Sequence, residues 1–174
     1  RFTLATGNSP GNDMRFSAKK VEASRNFANK LWNAARFVLM NLEGNEPAPY
    51  IPEKLALEDK WILTKLNKTI KEVTKSMEKY DFNIVGNTLY NFIWTDFCDK
   101  YIELSKFNMN NTTKSVLLKV LTDIIKMLHP FMPFVTEEIY SMLPVKDEES
   151  IMISKYPAYT KNMTDSHWQV DYFS

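Results

Sequence analysis

The sequence predicts an all-α fold, an antiparallel helical bundle of about four long helices plus a short fifth. Three observations carry this. Apolar residues recur at three- and four-residue spacing through four long stretches, the period that lines one side of an α-helix. Helix-stopping clusters separate the stretches: Pro47, Pro49 and Pro52, then Asn110-Asn111-Thr112, then Pro130 and Pro133. The second and third stretches are joined by almost no loop, which forces them antiparallel.

The first helix is read from Ser17 to Leu42. Ser17 is the expected N-cap, its hydroxyl meeting the free amides of the first turn, and Gly44 the expected stop. Val21, Ala28, Leu31, Trp32, Ala35, Val38, Leu39 and Leu42 form its apolar stripe, and Lys19, Glu22, Asn26, Asn29, Lys30, Asn33 and Phe37 the opposite face. Asparagines are mediocre helix formers and are rarely placed on a helix for stability. Amides that bond base edges, cations that meet phosphates and a ring that stacks a base suit a surface reading single-stranded nucleic acid. Phe37 lying beneath a loop, with merely solvated asparagines, fits the same pattern.

Residues 43–56, with three prolines, form a connector expected to lie extended. The second helix spans roughly Glu58 to Tyr80, with Ile62, Leu66, Ile70, Val73 and Met77 inward. Asp81 is the expected N-cap of a third helix, about Phe82 to Lys106, with Phe82, Val85, Leu89, Phe92, Ile93, Phe97, Tyr101 and Leu104 inward. Gly86 in it marks either a close helix approach or a tolerated glycine. The fourth helix, about Thr113 to Leu128, points Leu117, Leu121, Ile124 and Leu128 inward. His129 to Phe134 is a stiff apolar corner, and Pro133 opens a short helix ending near Leu143. Ser150 to Ser154 is expected to be extended. The domain reading is a linking segment at 1–16, the bundle at 17–144, and an extended C-terminal segment at 145–174 whose tail is unassigned.

Composition narrows the function. The chain has 174 residues, of which 44% are hydrophobic and 13% aromatic, enough for a real core. The net charge of +1 gives no overall pull toward polyanions. Residues 1–42, however, carry seven Lys and Arg against one Asp and one Glu, which points to a local anionic contact. The single cysteine, Cys98, excludes an internal disulfide and fits a reducing cytosol. No run reaches the roughly 18 apolar residues of a membrane span, and the first residues lack the apolar core of a signal peptide. The chain starts at Arg1 rather than Met, as expected of a piece of something longer.

Free-standing catalysis finds little support. Of the two histidines, His129 and His167, the first precedes a proline at a helix end and reads as structural. No Glu-x-x-His pair, zinc spacing or glycine-rich phosphate loop is present. Asp96, Asp99 and Glu103 share a face of the third helix; ion pairing on a solvated face or an acid–base site would both use them. No catalytic residue and no metal ligand is assigned.

Several stretches together resemble one family. They are Ser9-Pro10-Gly11-Asn12-Asp13-Met14-Arg15-Phe16, Asn26-Phe27-Ala28-Asn29-Lys30-Leu31-Trp32-Asn33-Ala34-Ala35-Arg36-Phe37, Asp59-Lys60-Trp61-Ile62-Leu63 and Glu78-Lys79-Tyr80-Asp81-Phe82. Phe92-Ile93-Trp94 with Phe97-Cys98-Asp99, and the run from Leu128 to Glu138, agree as well. In order and spacing they resemble bacterial-type valyl-tRNA synthetases, class I aminoacyl-tRNA synthetases, over nearly all of residues 1–157. The resemblance implies the α-helical anticodon-binding bundle that follows the KMSKS loop of the catalytic domain. The parent joins valine to its tRNA using ATP and Mg²⁺, and an inserted domain hydrolyses mischarged threonine. The HIGH and KMSKS motifs, the editing insert and the C-terminal coiled-coil arm are not recognisable in this sequence, so neither activation nor editing is expected of it, and no cofactor.

The implied task is to grip the anticodon stem-loop of tRNA(Val). The resemblance places the base-facing aromatic on Phe37 and a basic residue on the other side of the base on Lys19, where relatives can carry arginine. The helical wheel adds Lys30 and Asn33; the adjacent Arg36 either reaches phosphate or simply pairs at the surface. The other implied partner is the catalytic domain of the same chain; a cytoplasmic monomer with no membrane contact is expected. The alternatives are the anticodon domain of an isoleucyl or leucyl enzyme, or a helical protein-interaction module, which would require a continuous exposed apolar patch.

Overall fold

A computed structural model describes Phe2, residues 18–43 and residues 47–161. The rest of the linking segment 1–16, the Ser17 cap, the Gly44 stop and the tail beyond Lys161, with His167, lie outside the described residues.

The described residues are helical apart from turns and connectors. Helix α1 runs Ala18–Leu42 and ends at Glu43, which takes the left-handed conformation at φ 53°. Its inward face is rotated from the expected stripe. Phe27, Leu31, Ala34, Ala35, Val38 and Leu42 are buried, whereas Val21 is exposed. The reason is aromatic packing: Phe27 stacks on Phe2 at 5.4 Å and meets Tyr90 at 5.1 Å, and a ring buries more apolar surface than Val21 can.

The connector makes a single 3₁₀ turn at Pro52–Lys54 and is pinned by buried Leu55 and by the Ser115 hydroxyl, which donates to the Ala48 carbonyl. Helix α2 (Leu57–Glu78) starts where the Asp59 carboxylate accepts the Ala56 amide at 3.2 Å. It buries Ile62, Leu66, Ile70 and Val73 as its spacing predicts, with Met77 half-buried. The reversal into α3 (Phe82–Asn91) passes through Tyr80 at φ 61° and an Asp81 amide bond to the Ser76 carbonyl. Asp81 stands at the N-cap position, but its side chain makes no capping bond.

The third rod departs from the expected continuous α-helix. After α3 it widens into a π segment at Phe92–Tyr101 and closes as α4 (Ile102–Ser105). Phe92 and Phe97, Ile93 and Cys98, and Phe97 and Ile102 are each five residues apart, and all are buried. That spacing drifts round a helix of 3.6 residues per turn but stays on one side where the bonds run i to i+5. Leu104 and Phe82, both expected inward, are 38% and 37% exposed.

Helix α5 (Asn111–Leu128) is the centre of the fold. It packs against α1, α2 and the short α6 (Pro133–Ser141), and its polar residues Ser115, Lys119, Thr122, Asp123 and Lys126 are gathered on one side. Asn110 caps it, accepting the Thr113 amide at 2.9 Å. In the corner that follows, Phe131 is buried, Phe134 is 90% exposed, and His129 Nδ1 lies 2.8 Å from Thr136 Oγ1. Residues 150–154 form a turn, not the expected extended piece. The Ser150 hydroxyl donates to Glu137 and accepts the Met152 amide, and the turn lowers Ile151 into the core.

Candidate nucleic-acid interface

The interface is built on α1. Because its core face centres on Leu31, Ala34 and Val38, the opposite side carries Lys19, Glu22, Asn26, Asn29, Asn33 and Arg36, all exposed. Phe37 stands on the shoulder of this face. It is half-buried and packs against the core, and its carbonyl accepts a hydrogen bond from the side-chain amide of Asn41 at 2.8 Å. An ammonium group from another element, that of Lys106, sits 5.6 Å from the ring centroid.

Lys30 is committed within the molecule. Its ammonium pairs with Asp99 and lies 3.9 Å from the centroid of Trp94, both in the π segment. Trp94 stacks on Tyr90 at 5.5 Å, so an aromatic run of Phe131, Phe2, Phe27, Tyr90 and Trp94 along the seam ends at this cation. Lys30 therefore clamps α1 to the π segment.

Lys19 and Phe37 are 18 residues apart, five helical turns, on the same side of α1. A rise of 1.5 Å per residue separates them by about 27 Å. At that separation the two side chains cannot flank one base-sized ring. Asn33, Arg36 and Phe37 do fall within about one turn of each other.

The three carboxylates of the third rod are paired: Asp99 with Lys30, Asp96 with Lys100 at 3.9 Å, and Glu103 with Lys106 at 2.7 Å. Burial raises the Asp96 carboxyl above its ordinary range against the pull of Lys65 and Lys100. Cys98 is buried, which pushes its thiol up to about 12 and makes it a poor nucleophile. An open groove of about 590 Å³ between the connector and α5 holds Tyr50, Lys119, Asp123, Lys126 and Asp147. Its lysines are already paired, Lys119 with Asp123 and Lys126 with Asp147. Among the described residues no cluster of three or more His, Cys, Asp or Glu could hold a metal ion, and no helix is long and apolar enough to cross a membrane.

Sequence reasoning missed Lys106 and Trp94. Lys106 lies 69 residues beyond Phe37, and no local spacing joins them. Trp94 falls in the π segment, where the α-helical wheel misplaces side chains.

Residues 59–174 match the family model of the anticodon-binding domain of tRNA ligase. The chain is 52% identical over 174 residues to a valine–tRNA ligase of Listeria innocua, and 49% identical over 180 residues to that of Bacillus subtilis. These alignments cover 95% and 98% of the chain, and the chain spans 20% of each relative's length. A solved ternary complex of the LeuRS of Agrobacterium radiobacter K84 with tRNA and LeuAMS shares the fold, with a TM-score of 0.72 at 17% identity, over 94% of this chain and 19% of that one. An all-helical core and a family match over two thirds of the chain's length lead to one assignment: the chain belongs to the anticodon-binding domain family of tRNA ligases.

Proposed function

We propose that the chain grips the anticodon stem-loop of tRNA(Val) as the anticodon-binding part of a valine–tRNA ligase. The observation that carries this is the exposed face of α1, where Asn33, Arg36 and the half-buried Phe37 fall within one turn, in a chain so similar to valine–tRNA ligases. Phe37 offers a stacking surface, Asn33 a donor and an acceptor for a base edge, and Arg36 a planar cation for phosphate. Lys19, about five turns away, meets the backbone further along the strand. Lys30 acts through position, fixing α1 against the π segment. On this face amides and cations outnumber the one large apolar side chain that is exposed there, Met40, whereas protein docking would use a continuous apolar patch.

In the whole ligase, which we infer to be a cytoplasmic monomer, this bundle works beside the catalytic domain of the same chain. ATP and Mg²⁺ serve aminoacylation there. This chain's part is to hold the RNA.

The test is binding of RNA stem-loops by the chain at two salt concentrations. The expected result is binding that weakens with salt and is lost when the valine anticodon is altered, because phosphate contacts set affinity and base contacts set identity. Indifference to the anticodon contradicts the reading.

A further inference from the structure

Lys106 brings a cation from another element to the ring of Phe37. It follows α4, and its ammonium lies over the Phe37 ring at 5.6 Å, near the outer limit of a cation–π contact. Its carboxylate partner is Glu103, one turn earlier, at 2.7 Å. The two side chains are 46% and 60% exposed. Exposed pairs of this kind hold weakly and are easily exchanged. Lys30 differs: its side chain is 27% exposed, and it is held by Asp99 and by the face of Trp94 together. Of the two lysines that bind α1 to the third rod, one is fixed and one is free to change partner.

We propose that Lys106 is a backbone-phosphate contact for the nucleotide whose base stacks on Phe37, exchanging Glu103 for a phosphate oxygen when RNA binds. This rests on the reading of Phe37 given above. A base stacking on the ring enters the space the ammonium occupies and displaces it. The same nucleotide carries its phosphate past the edge of the ring, within the sweep of a four-carbon stem anchored beside it. A compact ammonium suits this because it needs no fixed fork geometry. Glu103 then acts as a placeholder that neutralises Lys106 in the free protein.

Lys106→Gln and Glu103→Gln in the 174-residue chain test this, using stem-loops with valine and altered anticodons across a salt series. Lys106→Gln should weaken both RNAs by a similar factor and reduce the slope of log K against log salt by about 0.7, the loss of one single-strand phosphate contact. Glu103→Gln, which frees the ammonium, should bind as tightly as the unsubstituted chain or tighter. An unchanged salt slope in Lys106→Gln overturns the proposal even if affinity drops, since a lysine that merely braced Phe37 would cost affinity without counterion release. Weaker binding by Glu103→Gln overturns the exchange. If the unsubstituted chain does not distinguish the two anticodons while Lys106→Gln still lowers the slope, the phosphate contact stands and the reading of Phe37 fails.

Discussion

The Tyr101 phenol donates a 2.6 Å hydrogen bond to Oδ1 of Asp59, and both residues are fully buried. The bond ties the π segment to the first turn of α2, whose Ala56 amide is taken by the other carboxylate oxygen. Burial pushes the Asp59 carboxyl up despite the bonds from Tyr101 and Ala56, and burial with the adjacent carboxylate drives the Tyr101 phenol far above its ordinary value. Tyr101→Phe should destabilise the fold by about 1–3 kcal/mol, because it strands a buried carboxylate oxygen. Urea unfolding measures it; a change within error would show the bond contributes nothing.

Asp59 and Asp147 should give opposite pH dependences. Burial works against Asp147, but hydrogen bonds from Lys126, Ser154 and Tyr140 hold its carboxyl well below the usual carboxylate range. The unfolded state therefore binds more protons at this group as pH falls below the ordinary value of 3.8, and its stabilisation, complete above that, is lost. For Asp59 the folded state holds the proton to higher pH, so its contribution declines as pH rises above 3.8 toward the raised folded value. Unfolding from pH 2 to 7 should show Asp147→Asn losing its deficit at the acid end and Asp59→Asn doing best, relative to the unsubstituted chain, at the neutral end.

Leu121 is fully buried on the central helix. Leu121→Ala should cost about 2–5 kcal/mol, through lost transfer energy and the residual cavity. Asn110→Ala, which removes the cap of the same helix, should cost about 1 kcal/mol. Thermal unfolding that ranked the cap above the core residue would contradict the central place of α5.

Helix existence and most inward faces were legible because Ile62, Leu66, Ile70 and Val73, and Leu117, Leu121 and Ile124, keep a strict helical period that burial obeys. The ion pairing of Asp96, Asp99 and Glu103 was foreseen as one of two options. The π segment was hidden because Leu89, Phe92, Ile93, Phe97 and Tyr101 also keep the three- and four-residue spacings of an α-helix. The rotation of α1 depends on Phe2 and Tyr90 receiving Phe27, which are tertiary contacts without a local signature. At the site, the outward placing of Asn33 and Phe37 followed from the wheel, and Arg36 was read only as their neighbour. The capture of Lys30 and the approach of Lys106 follow only from how the third rod lies against α1.

Phe37 carries the central claim. Phe37→Leu keeps apolar volume against the core while removing the ring, and thermal unfolding of the variant checks that the bundle is intact. Stacking is worth about 1–3 kcal/mol per base, and each 1.4 kcal/mol is about tenfold. The measurement is the affinity of the unsubstituted chain and of Phe37→Leu for stem-loops with the valine anticodon and with an altered one. A folded variant that binds the valine stem-loop about tenfold or more weaker, and no longer distinguishes the two RNAs, is the predicted result. A folded variant that keeps both its affinity and its preference for the valine anticodon would show that the bases are read elsewhere.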